Sequence, residues 1–239
     1  MIKIKENMLN INKLKINSVE GNKSLVTEAS LEVAEGQIVL LEGVNGSGKS
    51  TILNAIMHNP NYVIESGKVF VGDTDVTDYS TDKLARLGVY ISMQHSPEIE
   101  GVSTIKMLYK AYKFVNQKDG DTETQKGLSI TEFKNELEAK CKTFELDTSL
   151  LMRDVNVGFS GGQKKQADLM HMLALEPKVI LMDEPDSGVD REAVTKVYAV
   201  INYFKNKGAA ILLTSHNEKI KDLHINKTYK IENKIVNFL

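Results

Sequence analysis

The stretch "QIVLLEGVNGSGKST", residues 37–51, joins an apolar run to a glycine-rich turn and then to a helical run. The apolar part is short and nearly free of polar residues, which is typical of a strand inside a sheet that is covered on both faces. The run "TILNAIMH", residues 51–58, has helical spacing and stops at Asn59 and Pro60. A buried strand, a glycine-rich turn and a helix in this order predict an α/β core with a ligand site at the turn.

The turn itself, "GVNGSGKS" at Gly43–Ser50, fits the phosphate-binding pattern G-x-x-x-x-G-K-[ST] in the strand-to-helix context that this pattern requires. Its glycines allow successive backbone N–H groups to point inward, and the helix N-terminus adds the positive end of a dipole. Lys49 is expected to reach the β- and γ-phosphates, and the Ser50 hydroxyl to ligate Mg²⁺. We therefore expect ATP to contact Gly43, Asn45, Gly46, Ser47, Gly48, Lys49, Ser50 and Thr51.

A second apolar run, "VILMDE" at 179–184, ends in Asp183 and Glu184. Ligands collect at the carboxyl ends of strands in a parallel sheet. Asp183 is expected to hold Mg²⁺ through water, and Glu184 to orient or deprotonate the attacking water. Such a pair alone would also fit a solvated turn. Combined with the turn at Gly43–Ser50, it predicts nucleotide hydrolysis.

The segment "FSGGQ", Phe159–Gln163, opens a further helix near Gln163. Ser160 is a candidate N-cap, and Gly161 and Gly162 would expose backbone N–H groups to an anion. A second phosphate site in one chain makes sense if two copies grip one nucleotide head to tail. Each copy would then give its cradle to one ATP and its Ser160–Gln163 segment to the other.

The order of apolar runs along the chain predicts the architecture. Strands alternate with helices, which indicates a mostly parallel α/β sheet, and the first 40 residues have an antiparallel pattern. The run "GKVFVGDTDV", 67–76, is predicted to be a further strand, beginning at Gly67, and a turn. We expect one domain over 1–239, with an α/β core and antiparallel β portion from 1–96 and 176–239. A helical subdomain, 97–175, would carry Ser160–Gln163. The polar segment at 116–127 is expected to be a mobile loop.

Composition narrows the class of protein. The 239 residues are 41% hydrophobic and 26% charged with a net charge of −2, so no basic bias favours nucleic acid as a partner. Cys141 is the only cysteine, which excludes an internal disulfide and predicts a small apolar residue on a helix. No run approaches the ~20 apolar residues of a membrane span, and the N-terminus alternates like a strand. We expect a cytoplasmic protein without direct membrane insertion.

The set of motifs resembles the ATPase domain of the ABC superfamily. The matching segments, in family order, are Gly43–Ser50 (Walker A), Gln94 (Q-loop), Ser160–Gln163 (signature), Val179–Glu184 (Walker B), Ser187–Asp190 (D-loop) and His216 (switch histidine). The resemblance implies that Gln94 contacts Mg²⁺ and reports the nucleotide state to the helical subdomain. It also implies that His216 contacts the γ-phosphate, and that Asp190 joins Ser160–Gln163 at the ATP of the opposite subunit.

A narrower resemblance concerns three stretches: "MQHSPEIEGVST" (93–104), "RDVNVGFSGGQKK" (153–165) and "DEPDSGVD" (183–190). They are similar to SufC-type ATPases of the SUF iron–sulfur cluster assembly system. Phe159, the Lys164–Lys165 pair and Asp186 follow that pattern, whereas Gln163 and Pro185 are transporter-like.

This resemblance implies a subunit that dimerises head to tail on ATP and drives conformational change in SufB/SufD-like scaffold proteins. The scaffold would be contacted through the Gln94–Ser103 region and the helical subdomain. The alternative is the ATP-binding subunit of a membrane transporter, which would share every nucleotide motif. A DNA- or ribosome-associated ABC protein is disfavoured, because the sequence has no basic stretch, second cassette or long coiled-coil insert.

Overall fold

A computed structural model of the chain describes residues 7–92, 97–117, 127–215, 220 and 222–239. The chain divides into two compact units. The first unit comprises residues 1–94, 178–187 and 201–239, and the second comprises 95–177 and 188–200.

The described residues form twelve strands and six α-helices. The strands are β1 (Asn7–Ser18), β2 (Ser24–Ala34), β3 (Ile38–Glu42), β4 (Tyr62–Val71), β5 (Thr74–Asp75), β6 (Val89–Ser92), β7 (Ile99–Ser103), β8 (Asp154–Val155), β9 (Val179–Asp183), β10 (Ala210–Thr214), β11 (Lys227–Glu232) and β12 (Ile235–Phe238). The helices are α1 (Lys49–Ile56), α2 (Thr81–Arg86), α3 (Thr104–Asn116), α4 (Ile130–Thr143), α5 (Gly161–Leu175) and α6 (Arg191–Asn206). Short 3-10 turns span Glu20–Asn22 and Thr148–Met152.

The first unit is built on one ten-stranded sheet, in the order β5-β4-β1-β2-β12-β11-β3-β10-β9-β6. Strands β3, β10, β9 and β6 are parallel, whereas β1, β2, β4 and β5 are antiparallel. The antiparallel hairpin β11–β12 lies between the two parts, since β12 pairs with β2 and β11 pairs with β3. The strand pattern predicts this α/β fold, in which a parallel part and an antiparallel part share one sheet.

The central parallel strands are the apolar runs of the sequence. Residues of β9 and β10 are buried along their whole length, and β3 is buried up to Glu42. Side chains of a strand point alternately to both faces of the sheet, so continuous burial requires cover on both sides. Because these strands are parallel, their carboxyl ends, and the residues that follow them, lie at one edge of the sheet.

The antiparallel part differs from the sequence-based prediction at β4, which begins at Tyr62 rather than at Gly67. Gly67 lies inside the strand with φ +93, and a Cβ there would be 2.4 Å from the Lys13 carbonyl oxygen. Lys13 itself has φ 48, where the β1–β4 register shifts. The glycine therefore allows two backbones to cross closely at a bulge and does not mark a strand start.

The second unit is mainly helical, and its core follows the apolar spacing of α4. Phe133, Leu137 and Cys141 recur at every fourth position and are buried. The Phe133 ring lies 5.6 Å from that of Tyr109 and 4.9 Å from that of Tyr112, measured between centroids. Burial raises the pKa of the Cys141 thiol to about 12. The prediction that Cys141 is a small apolar residue on a helix is confirmed.

Some elements of the structure were not predicted from the sequence, and one predicted segment lies mostly outside the described residues. Helix α2 and the two-stranded sheet β7–β8 were not predicted. The predicted loop at 116–127 lies mostly outside the described residues, since 118–126 are not described. No helix within the described parts of the chain is long and apolar enough to cross a membrane.

Candidate functional site

The turn between β3 and α1 needs its glycines for two different physical reasons. A Cβ on Gly43 would lie 2.6 Å from Ile231 Cγ2 and 2.7 Å from Ser47 Oγ, so no larger residue fits. Gly46 and Gly48 have φ values of +77 and +114, which side-chain-bearing residues rarely adopt. The chain therefore folds back tightly over the start of α1, as the sequence pattern predicts.

Helix α1 begins without a side-chain cap. Gly48 occupies the N-cap position, and no side chain accepts a hydrogen bond from the first helical N–H groups. Those groups have no acceptor inside a helix, so they need one from outside it. The buried Ser47 hydroxyl also has no hydrogen-bond partner among the described residues. The uncapped N–H groups of α1, at the positive end of a helix dipole, fit an oxyanion such as a phosphate group.

Lys49 adds a positive charge to the same turn. The residue is only 5% exposed, and its Nζ donates hydrogen bonds to the carbonyl oxygens of Gly43 (2.8 Å) and Val44 (3.2 Å). Burial lowers the pKa of Lys49, while the carboxylates of Glu184 and Asp183 act in the opposite direction. The turn thus holds the ammonium group of Lys49 in place with its own backbone.

The acidic pair follows directly from the parallel strands. Asp183, at the end of β9, is 5% exposed, and its Oδ1 accepts a hydrogen bond of 3.0 Å from the Ser50 hydroxyl. The same Oδ1 accepts a hydrogen bond of 2.9 Å from the Thr214 hydroxyl at the end of β10. Glu184 N donates to Thr214 Oγ1 at 3.0 Å. A carboxylate beside a hydroxyl is a pair of oxygen ligands that suits Mg²⁺.

These elements enclose a cavity of about 290 Å³. Its lining residues are Asn45, Gly46, Gly48, Lys49, Ser50, Thr51 and Glu184. The first unit thus brings the predicted cradle and the predicted acidic pair together. Among the residues that the structure describes, no group of three or more His, Cys, Asp or Glu could hold a metal ion. A magnesium ion held by Ser50 and Asp183 would therefore take further oxygen ligands from phosphate or water.

The second predicted anion segment lies in the second unit and caps itself. Ser160 Oγ accepts from Gln163 N (3.3 Å), and Gln163 Oε1 accepts from Ser160 N (3.0 Å). This reciprocal capping box confirms Ser160 as the N-cap, with α5 beginning at Gly161.

The glycine pair of this segment has no evident structural requirement. Neither Gly161 nor Gly162 has a positive φ. A Cβ on Gly162 would meet none of the described atoms within 4 Å, and one on Gly161 would lie 3.6 Å from the Gly188 oxygen, an ordinary contact. Glycine in a helix is nevertheless less stable than alanine by ~0.5–1 kcal/mol. The fold of the described chain does not by itself explain two glycines here.

The remaining predicted site residues are Asp190, Gln94 and His216, and the structure describes only the first of them. Asp190 lies in the second unit, is exposed, and accepts a hydrogen bond of 2.9 Å from Ala193 N at the start of α6. Gln94 and His216 lie outside the described residues. Thr214 was missed by the sequence reasoning. Its signal is positional, since it pairs in register with Asp183 across β10 and β9.

Within the second unit, two distant stretches of sequence contact each other. Strands β7 and β8 pair, Asn156 Nδ2 donates to the Pro97 oxygen at 2.9 Å, and Gly101 N donates to Asp154 Oδ2 at 2.8 Å. Lys164 Nζ lies 2.7 Å from Glu98 Oε1. Residues 97–104 and 153–165 thereby form one continuous layer next to the start of α5.

Large apolar side chains are exposed beside this layer. Ile99 is 38% exposed, Val102 37% and Met152 58%. We name these three residues the β7–β8 surface. Arg153 stacks its guanidinium 4.5 Å from the centre of the Phe159 ring, which fixes the residue before the N-cap Ser160.

A family model and several named relatives match the chain. The family model described as "ABC transporter" matches residues 26–187. The chain is 32% identical over 213 residues to a "Probable ABC transporter ATP-binding protein" of Streptococcus pyogenes serotype M18, covering 89% of this chain and 80% of the relative. It is 33% identical over 193 residues to the "Probable ATP-dependent transporter ycf16" of Cyanidium caldarium, covering 81% and 74%.

Solved structures give the same fold. The chain is similar to the dimeric structure of MJ0796, a bacterial ABC transporter cassette, with a TM-score of 0.80 and 19% sequence identity. The match covers 96% of this chain and 97% of that one.

Proposed function

The chain belongs to the ABC transporter family and is an ATPase of that family, and we propose that it serves as the ATPase subunit of a SUF-type iron–sulfur cluster assembly system. In this proposal ATP binds at Gly43–Thr51, and two copies close head to tail over two nucleotides. The closure and reopening drive conformational change in a protein scaffold. The following observations support each part of the proposal.

Nucleotide binding at the cradle rests on backbone donors that no side chain of the described residues caps. The first N–H groups of α1 have no side-chain cap, and Lys49 places a positive charge beside them. Phosphate oxygens would satisfy all of these groups together. The fit is to the triphosphate rather than to the base, since the cavity lining consists of turn and helix-start residues.

Hydrolysis would depend on the acidic pair. Ser50 and Asp183 would hold Mg²⁺, which would neutralise charge that develops on the phosphate oxygens. Glu184 lines the same cavity and would orient the attacking water and accept its proton. Gln94 and His216 keep the roles that the family resemblance implies, contact to Mg²⁺ and to the γ-phosphate.

The head-to-tail dimer rests on the glycine pair at the start of α5. Gly161 and Gly162 have room for side chains and need no left-handed backbone, yet both lower helix stability. A close approach by a group from outside the chain would explain them. We propose that this group is the γ-phosphate of the ATP in the opposite subunit, contacted by Ser160–Gln163 and Asp190.

The SUF assignment rests on the contacts between the two stretches that carry the resemblance. Phe159 stacks under Arg153, Lys164 pairs with Glu98, and Asn156 donates to Pro97, so the two stretches form a single layer. Asp186, the third SUF-like position, is 5% exposed and accepts hydrogen bonds of 3.0 and 2.8 Å from Ser215. Residues that differ from the transporter pattern are thus fixed in specific contacts.

The β7–β8 surface is the proposed docking site for the scaffold. Ile99, Val102 and Met152 are exposed apolar side chains on or next to residues 97–104 and 153–165, which include the start of α5, so a partner bound there would sense the motion of that helix. The partner would be a SufB/SufD-like scaffold in the cytoplasm.

Adding either the purified scaffold or a membrane permease to the chain tests the proposal. Purified scaffold is expected to bind the chain and to accelerate phosphate release. Met152→Glu is expected to abolish both effects and to leave the basal turnover unchanged, because it places a charge in an apolar contact. Val63→Glu is the matched control: Val63 is 49% exposed on β4 in the first unit, and its replacement is expected to change neither. Acceleration by a membrane permease instead of the scaffold would establish the transporter alternative.

A further inference from the structure

Thr214 occupies a position that links the two acids of the site. Its side chain is fully buried, and its hydroxyl donates to Asp183 Oδ1 at 2.9 Å while accepting from Glu184 N at 3.0 Å. A hydroxyl has one proton and can accept as well as donate, so one group serves both neighbours. Because the O–H must point at Asp183, the position of the carboxylate and that of the Glu184 amide depend on each other.

The sheet explains why this residue is in reach. Strands β9 and β10 are parallel neighbours, and Thr214 is the register partner of Asp183. Threonine suits a buried strand because of its β-branched side chain. A valine at this position would keep that shape and lose only the polar contacts, which makes the hydroxyl the part that needs an explanation.

The backbone of Glu184 supplies a second, independent observation. Glu184 has φ +47, in the left-handed region that residues with side chains adopt rarely. Such a conformation persists where surrounding contacts hold it, and it is common where a side chain must be aimed at a reaction site. Within the described residues, the Glu184 amide is held by Thr214 Oγ1, and the Glu184 carbonyl accepts from Ser187 N at 3.1 Å.

The Asp183 carboxylate is arranged in a similar way. Both hydrogen bonds that the described residues make to this side chain reach Oδ1, one from Ser50 and one from Thr214. Two donors on one oxygen fix the rotation of the carboxylate plane and leave Oδ2 without a protein donor in the described parts of the chain. Outer hydrogen bonds of this kind hold metal-ligating groups in place and tune them.

We propose that Thr214 is a positioning residue for hydrolysis: its hydroxyl holds the Asp183 carboxylate beside Ser50 and fixes the backbone from which Glu184 is aimed. The proposal rests on the proposed ATPase function of this site. Within the described residues, the Thr214 hydroxyl bonds to Asp183 and Glu184 and does not line the cavity, so its effect is directed at the metal and the water rather than at ATP affinity.

Three variants of the full chain test this role. Thr214→Val replaces the hydroxyl with a methyl group and keeps the shape of the side chain. Thr214→Ser keeps the hydroxyl, and Thr214→Ala removes the hydroxyl and puts no methyl group in its place. Thr104→Val is the matched control, since Thr104 is also a buried threonine whose hydroxyl makes a hydrogen bond of 2.9 Å, to the Arg153 oxygen. Each variant is measured for kcat, for the Mg²⁺ concentration at half-maximal turnover, and for thermal unfolding. Affinity for a fluorescent ATP analogue is measured in EDTA and in Mg²⁺.

Thr214→Val and Thr214→Ala are expected to lower kcat by about 10- to 100-fold and to raise the Mg²⁺ requirement several-fold, as loss of an outer hydrogen bond typically does. In EDTA their affinity for the analogue is expected to stay within about twofold of the wild type, while the increase in affinity caused by Mg²⁺ shrinks. Thr214→Ser is expected to behave like the wild type. Thr104→Val is expected to reduce the melting temperature without changing kcat.

Two results would overturn the role of Thr214. One is an unchanged kcat and Mg²⁺ dependence in both hydroxyl-free variants. The other is a loss of analogue affinity in EDTA as large as the loss in Mg²⁺, since that result would indicate a general collapse of the site. A wild-type chain that binds the analogue but releases no phosphate would instead refute the proposed function, so the two failures are distinguishable.

Discussion

Two helices of this chain start at glycine-containing turns, and they start in opposite ways. Helix α1 follows Gly48, which has a left-handed backbone and no side-chain cap. Helix α5 follows Ser160, and its capping box satisfies the Gln163 amide and the Ser160 amide without outside help. The start of α1 has no side-chain cap, whereas the start of α5 has one that leaves the amides of Gly161 and Gly162 without an acceptor among the described residues.

The difference indicates what each turn is for. The glycines before α1 are needed for folding, because Gly43 packs against Ile231 and Gly48 has a positive φ. The glycines at the start of α5 are not needed for folding, because both have room for a Cβ and ordinary φ values. We infer that the first turn is built to surround an anion, whereas the second is built to be approached by one.

The largest expected effect comes from Glu184→Gln. Loss of the proposed base is expected to lower turnover by about 10²- to 10⁴-fold, while ATP still binds at the cradle. Because both half-sites stay loaded, the variant is expected to accumulate as a dimer in saturating Mg·ATP. Phosphate release and light scattering behind gel filtration measure the two outcomes. A monomer under these conditions, both alone and with the scaffold, would contradict the head-to-tail arrangement.

The second-largest expected effect comes from Gly162→Ala, which tests whether the glycines at the start of α5 serve function rather than folding. Its Cβ meets nothing within the described chain, so thermal stability is expected to be equal or higher, by up to ~1 kcal/mol. Turnover is nevertheless expected to fall by about tenfold, or about 1.4 kcal/mol of activation free energy, since the methyl group would obstruct the nucleotide of the opposite subunit. Affinity of the isolated monomer for ATP is the control and is expected to be unchanged. Full turnover would show that nothing approaches this glycine.

The smallest expected effect compares two capping boxes. Ser160 in α5 and Ser129 in α4 make the same reciprocal pair of hydrogen bonds, with Gln163 and Glu132 respectively. Ser160→Ala and Ser129→Ala are each expected to lower the free energy of unfolding by ~1 kcal/mol. Denaturant titration checks this equality.

Turnover is expected to distinguish the two serines. Only Ser160→Ala is expected to reduce phosphate release, because only Ser160 is proposed to reach a nucleotide. Equal turnover in both variants would leave Ser160 as a helix cap and nothing more.

Much of the fold could be predicted from local patterns. Strands β3, β9 and β10 are continuous apolar runs, and α3 and α4 have helical spacing, so each was recognisable by itself. The interpretation of Gly67 as a strand start was wrong, because its role depends on the backbone of Lys13, more than fifty residues away in sequence. The pair β7–β8 was missed because β8 has only two residues and no periodicity of its own.

The site was predictable wherever a motif carries its own chemistry. The cradle and the acidic pair were found from Gly43–Ser50 and from Asp183 and Glu184, and the first unit brings them together. Thr214 was not found, because its proposed role depends on sheet order. Only when β10 lies beside β9 does the last residue of one strand face the acid of the other.

Hairpin β11–β12 has a consequence for how the protein is made. It joins the antiparallel and parallel parts of the sheet, and Ile231 packs directly on Gly43. A nascent chain whose synthesis has reached the middle already contains the whole Gly43–Thr51 loop, yet it lacks the strand against which that loop closes. Competence to bind nucleotide would therefore appear only after residues 227–238 have left the ribosome and entered the gap between β2 and β3.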